Sequence, residues 1–180
     1  MLLVGCGNAY RRARNGDGNF EMRSGAADTR IAVLSDTHGL LRDSVLPHLD
    51  GVNHILHAGD VGDPAILERL REFAPVTAIR GNIDHSGSCA LLPAAELIEI
   101  GGTAFYLVHS LADLDIEPLA AGVQVVVTGH SHKPALEERR GVTYLNPGSV
   151  GPRRFKLPIS MATVRLRAGE IAVEFLTLEE

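Results

Sequence analysis

From Thr29 onward, apolar and polar positions follow a regular rhythm. Short runs rich in Val, Ile and Leu recur, and each breaks off at glycine or a polar cluster: "RIAVLSDTHG", "HILHAGD", "VTAIRGNID", "TAFYLVHS", "VQVVVTGHSH" and "VTYLNPGS". Short apolar runs bounded by turn formers predict buried strands rather than helices. Helical segments lie between the early runs. "DSVLPHL" is a weak one. Asp63 to Ala74 is stronger, because Asp63 can cap it, Pro64 takes the first helical position, and Ile66, Leu67, Leu70 and Phe73 share one face. Strands alternating with helices predict a parallel sheet.

The later half changes character. "AELIEIGGTAFYLVH" reads as two strands around Gly101-Gly102, and "PALEERRGVTYL" and "MATVRLRAGEIAVEFLTL" read as hairpins turning near Gly141 and Ala168-Gly169. Two mixed sheets packed face to face, with helices outside, satisfy both halves. Residues 29–180 are expected to form that single domain. Residues 1–28, rich in Gly, Arg and Asp and without periodicity, are expected to be a flexible tail, with Met22 an alternative start to Met1.

Composition narrows the class. With 180 residues, 45% hydrophobic and 22% charged, the chain can bury one proper core. A net charge of −5 gives no general pull toward nucleic acid or an anionic membrane, and the absence of tryptophan leaves no evident base-stacking platform. No apolar run approaches the ~18 residues of a membrane span. Cys6 and Cys89 stand alone, without a CxxC, which argues against a disulfide framework or a thiolate zinc site and for a reducing, cytoplasmic setting. "LVGC" at Leu3 to Cys6 resembles a lipoprotein cleavage box, but too little apolar chain precedes it for a signal.

Candidate chemistry gathers at the strand ends. Asp36 and His38 follow the first predicted strand, Asp60 the second, Asn82 the third, His109 the fourth, and His130 and His132 the fifth. In sheets with βαβ crossovers, ligands bind at the carboxyl ends of strands. Asp36/His38 and His130/His132 are both i, i+2 pairs, which on extended backbone point the same way. A capping Asp or a surface His explains any one of these residues; the ordered set is explained better by a metal centre. Carboxylate, amide oxygen and imidazole suit Mn, Fe, Co, Ni or Zn. Seven ligands exceed the needs of one ion and suit two sharing a bridging carboxylate, for which Asp60 is the natural choice. Glycines before Asp60, Asn82 and His130 are expected to let the backbone turn sharply there.

Taken in order, "DTHG", "GD", "GNID", "H" and "GHSH" resemble the motifs of the calcineurin-like metallophosphoesterases, in particular the YfcE-type small phosphodiesterases. The resemblance runs from about Arg30 to Pro152 and includes "NPGSVGPR". It implies a four-layer αββα sandwich and a dinuclear centre, most simply of Mn. Asp36, His38, Asp60 and His132 would hold one ion, and Asp60, Asn82, His109 and His130 the other. Two divalent ions less two carboxylates leave about +2, enough to attract a phosphate ester and to activate a shared water as hydroxide. Asp60, Asn82 and His109 would then position both water and phosphate.

Two departures from the wider family matter. The residue after Asn82 is Ile83, where many relatives have an acid-donating His, and "HSL" at His109–Leu111 replaces "HGH". His85 is a candidate acid, weighed against an ordinary surface histidine. Without a firm acid, phosphodiesters or activated aryl esters are the expected substrates, since good leaving groups need less protonation. His57 is either a histidine that orients a ligand or a satisfied buried one, while His48 and His54 are expected at the surface. Asp84 is placed to hold the Asn82 loop, Asn146–Ser149 to offer N–H groups to a phosphate or simply to turn, and Arg153 to reach a substrate anion. A non-catalytic scaffold, as in a retromer subunit resembling this fold, is the rival; it needs no complete ligand set. Hairpin edges leave a homodimer open.

Overall fold

The computed structural model describes residues 28–179. The expected tail and both candidate start residues lie outside them, Asp28 excepted. Eleven regular elements follow: β1 (Thr29–Leu34), β2 (His54–His57), α1 (Pro64–Arg71), β3 (Val76–Ala78), β4 (Ala95–Ile100), β5 (Thr103–Val108), β6 (Val125–Val127), β7 (Ala135–Arg139), β8 (Val142–Asn146), β9 (Ser160–Arg167) and β10 (Glu170–Thr177). They form two five-stranded mixed sheets, ordered β10-β9-β1-β2-β3 and β4-β5-β6-β8-β7. The expected hairpins β4/β5, β7/β8 and β9/β10 are all antiparallel, whereas β1, β2 and β3 run parallel, as do β5, β6 and β8.

Side-chain alternation along each strand builds the layers. Ile31, Val33 and Leu56 of the first sheet meet Phe105, Leu107, Val125, Val127 and Leu145 of the second in a shared core. Ala32, Leu34 and Ile55 face the other way, onto Leu49 and onto Ile66, Leu67 and Leu70 of α1. Asp63 caps α1 as expected, its carboxylate accepting the Ala65 N–H at 2.9 Å. The helix ends at Arg71, three residues short of the expected Ala74. "DSVLPHL" forms a 3₁₀ helix, consistent with the missing N–H of Pro47 inside it. On the far side, Leu114, Ile116 and Val123 cover Tyr106, Val108 and Val126, so that outer layer is mainly loop.

This topology positions the site. Leu34 pairs with His57 and His57 with Ala78, so β1, β2 and β3 end level with one another. Leu107, Val127 and Leu145 are likewise in register. The loops carrying the seven candidate ligands therefore leave both sheets at one edge.

Candidate metal centre

The backbone at this edge is not extended. Asp36, His38, Asp60, His130 and His132 have φ of 56°, 45°, 55°, 65° and 56°. This corrects the expectation that each i, i+2 pair points one way because it continues a strand. Left-handed turns just past the strand ends aim these side chains. Asp and His tolerate that region better than most residues, but each such position still costs on the order of 1 kcal/mol or more. Backbone hydrogen bonds hold the turns: Asp36 N–H to Gly59 O (3.0 Å), His38 N–H to Asp60 O (2.9 Å) and Gly129 N–H to His109 O (2.9 Å).

The glycines beside the ligands serve different purposes. Gly59 has φ +92°, a true left-handed turn. Gly81 does not; a Cβ there would sit 2.1 Å from Asp60 Oδ1, so glycine is required by the close approach of two loops.

The structure brings all seven predicted side chains together, in two groups. On one side, His38 Nε2 lies 3.1 Å from His132 Nε2, and His132 Nε2 lies 3.2 Å from Asp36 Oδ1. On the other, Asn82 Oδ1 lies 3.2 Å from His109 Nε2 and 3.0 Å from His130 Nδ1. His130 and His132 thus belong to opposite groups. Asp60 stands between, with Oδ2 3.5 Å from His38 Nε2 and Oδ1 3.4 Å from His109 Nε2. Asp36, His38 and His132 could share one ion, and Asp36, Asp60 and His109 another.

The electrostatics suit cation binding. Burial pushes the Asp36 carboxyl up to about 6, against the lowering pull of the Ser35 hydroxyl. Burial alone would raise Asp60 too, but the His109 imidazole and the Ile83 N–H outweigh it and hold the carboxyl at about 2. Burial lowers His38, and lowers His132 to about 4, with Arg154 adding to both, so these imidazoles are neutral and offer lone pairs. His109 goes the other way: burial lowers it, but Asp60 and the Ala58 carbonyl raise it more. Asp36 Oδ1 is fully buried with no hydrogen-bond partner. A buried, unpaired carboxylate oxygen beside two neutral imidazoles is costly unless a cation completes it. The residues therefore fit a divalent ion.

Surrounding groups fix these ligands. His57 is fully buried and makes one hydrogen bond, from Nε2 to Thr37 Oγ1 at 3.0 Å. The Thr37 hydroxyl donates to Val61 O at 2.9 Å, so His57 Nε2 must carry the proton. His57 consequently braces the Asp36–His38 turn through Thr37. Asp84 accepts three N–H bonds at 2.9 Å, from Val61, Gly62 and Gly81, and so ties the Asp60 and Asn82 loops together. The hold of Asp84 on the Asn82 loop was legible; His57 acts through Thr37 rather than on a ligand directly, and the contributions of Ser35 and Thr37 were not legible, because a Ser or Thr near a strand end carries no signal of its own.

Of the two readings of Asn146–Ser149, Gly148 takes the turn, its N–H committed to Asn146 Oδ1. His48 and His54 are half-buried, His54 pairing with Thr77 Oγ1, so neither is simply a surface residue. Ser131, between His130 and His132, faces away from the cluster, accepting from Asn146 Nδ2 at 3.1 Å. His85 is exposed and is not among the residues lining the cavity beside the cluster. That cavity, about 480 Å³, is bounded by Arg80, Asn82, Ala95, His109, Asp113 and His130.

Comparison with known proteins agrees with this geometry. Residues 29–169 match the calcineurin-like phosphoesterase superfamily domain. A probable metallophosphoesterase of Methanothermobacter thermautotrophicus is 33% identical over 159 residues, covering 81% of this chain and 91% of that protein. A predicted phosphoesterase from Streptococcus pneumoniae superposes with TM-score 0.65 at 26% identity, over 84% of this chain and 90% of that one. Vacuolar protein sorting 29 from Cryptosporidium parvum superposes with TM-score 0.68 at 19% identity, over 83% and 98% respectively, a likeness of fold alone. With its ordered ligand motifs on the sandwich those relatives share, the chain belongs to the calcineurin-like phosphoesterase superfamily.

Proposed function

We propose that this protein is a phosphodiesterase working through a dinuclear metal centre, with Asp36, His38, Asp60 and His132 around one ion and Asp60, Asn82, His109 and His130 around the other. The observation that carries the proposal is the position of Asp60, whose two oxygens face His38 and His109 separately, at 3.5 and 3.4 Å. One carboxylate serving two imidazole groups is what a shared bridge requires.

When bound, two divalent ions, Mn by preference, supply charge that attracts phosphate and lower the pKa of a shared water. The chain contributes the rest. Asp60 is held ionised, and neutral His38 and His132 present lone pairs. His109 donates from Nδ1 to Ala58 O at 2.7 Å, which turns its Nε2 toward Asp60 and Asn82. The cavity beside Asn82, His109 and His130 receives one ester arm. His85 lies outside that cavity, which leaves leaving groups of low basicity favoured. A reducing, cytoplasmic setting accords with Cys89, which is buried and free.

Hydrolysis of bis-p-nitrophenyl phosphate with added Mn, abolished by Asp60→Asn, is the expected result. The rival reading, a scaffold acting by protein contact, is favoured only by the fold it shares with vacuolar protein sorting 29. Absence of turnover with Mn, Ni, Co and Zn alike would put the scaffold ahead.

A further inference from the structure

The basic pair Arg153-Arg154 lies on the loop after β8, and the structure brings the second of the two to the cluster. Arg154 Nη2 lies 3.3 Å from His38 Nε2. Its side chain is otherwise exposed, and among the described residues no carboxylate pairs with it. A guanidinium offers five donors in a planar fork and no acceptor, so its natural partner is an oxyanion. His38 Nε2 has a single lone pair. An ion held by His38 would take that lone pair, leaving the Arg154 fork beside the ion and available to an oxyanion.

The loop that presents Arg154 is built onto the ligand turn. Ser149 Oγ donates to Asp36 O at 2.9 Å, and Val150 N–H to Ser35 O at 3.3 Å. Arg42 donates to Gly151 O from both Nε and Nη2 at 3.3 Å. Gly151 packs so closely that a Cβ would lie 2.4 Å from the carbonyl oxygens of both Asp36 and Thr37. Beyond it the chain closes a turn, Leu157 N–H donating to Arg154 O at 3.1 Å. Within that turn Phe155 is 95% exposed and has φ 54°. A left-handed bulky residue with no burial to compensate is unusual, and such strain collects at functional sites.

We propose that Arg154 is a substrate-binding residue, gripping a phosphoryl oxygen on the His38 side of the cluster; this rests on the phosphoesterase reading above. The cavity beside His109 lies on the opposite side, so an ester arm seated there would leave a phosphoryl oxygen directed toward Arg154.

The test uses the full chain loaded with Mn and titrated calorimetrically with inorganic phosphate. Arg154→Ala should weaken phosphate binding about tenfold or more, as expected for losing a charge-assisted hydrogen bond. Mn stoichiometry should not change. Arg154→Lys should recover part of the loss, and Lys156→Ala, which removes the same charge two residues away, should cost less than about twofold, being screened by solvent. KM for bis-p-nitrophenyl phosphate should rise in proportion in Arg154→Ala. Unchanged phosphate binding in Arg154→Ala, an equal loss in Lys156→Ala, or no phosphate binding by the Mn-loaded parent would overturn the proposal. Phosphate binding needs no turnover. A parent that binds phosphate through Arg154 but hydrolyses nothing would sink the phosphodiesterase reading and leave this one standing.

Discussion

His38 and His132, ninety-four residues apart, bring their Nε2 atoms to 3.1 Å of one another. Both imidazoles are lowered by burial, so two lone-pair donors converge on one point next to the unpaired Asp36 Oδ1. That convergence is the clearest mark of a cation site among the described residues. Removing either His38 or His132 should abolish one equivalent of bound Mn and leave the other, because Asn82, His109 and His130 form a separate group. His130→Ala should do the reverse. Metal analysis of the single variants, together with titration of residual binding, distinguishes the two; loss of both equivalents in every variant would mean a single coupled site.

Gly81→Ala tests the close approach of two loops. Its Cβ would fall 2.1 Å from Asp60 Oδ1, so the carboxylate or the Asn82 loop must move. The expected outcome is a folded protein that has lost Mn affinity by about tenfold or more, as when groups that orient ligands are disturbed. Metal titration combined with circular dichroism measures both properties at once, and wild-type Mn affinity in the variant would contradict the geometry.

Asp84→Ala should destabilise the fold itself. Three N–H groups, of buried Val61 and the less buried Gly62 and Gly81, would lose their acceptor together. The buried Val61 donor left unsatisfied costs roughly 1–3 kcal/mol, and the other two, which water reaches, add less. Urea denaturation gives the value directly. Asp84→Asn, which keeps an acceptor oxygen, should lose less.

His57 predicts a pH dependence. Burial lowers its folded pKa to about 4, below the unfolded value of 6.5. A depressed folded pKa means that the stability it supports is present above pH 6.5 and is lost as pH falls toward 4. Between pH 7 and pH 5 the loss should be about 2 kcal/mol from this residue. Asp36 works against it over part of the same range, since its raised carboxyl, at about 6, favours the fold at lower pH. Comparing the parent with His57→Gln isolates the histidine: the variant should lose less stability across that interval, measured by urea denaturation with chelator present. Parallel pH profiles would show that His57 stays neutral for another reason, or is not neutral at all.

Much was legible from sequence because strand periodicity and strand-end chemistry are local. Valines 125–127 predict a buried strand, and β6 is buried along its whole length. Alternation in "TAFYLV" separates Phe105 and Leu107 from Tyr106, which the two cores do in fact divide between them. Asp36, His38, Asp60, Asn82, His109, His130 and His132 could be named because each ends an apolar run. What no run of residues encodes is the left-handed turn at five of these positions. That conformation depends on hydrogen bonds from the neighbouring strand's loop, such as His38 N–H to Asp60 O.

The distribution of those side chains between two groups also depends on tertiary structure. Sequence determined that His130 and His132 follow one strand and that Asp60 has two oxygens to share. Only the parallel register of β1 with β2, and of β5 with β6, decided which ligand faces which. The same holds for Arg154. Its neighbour Arg153 was the expected anion contact, and nothing in "GPRRFK" separates the two. The loop's anchorage on Asp36 and Thr37, through Ser149 and Gly151, carries Arg154 to His38. Local pattern fixes which groups are available; long-range packing fixes the few ångströms on which their chemistry depends.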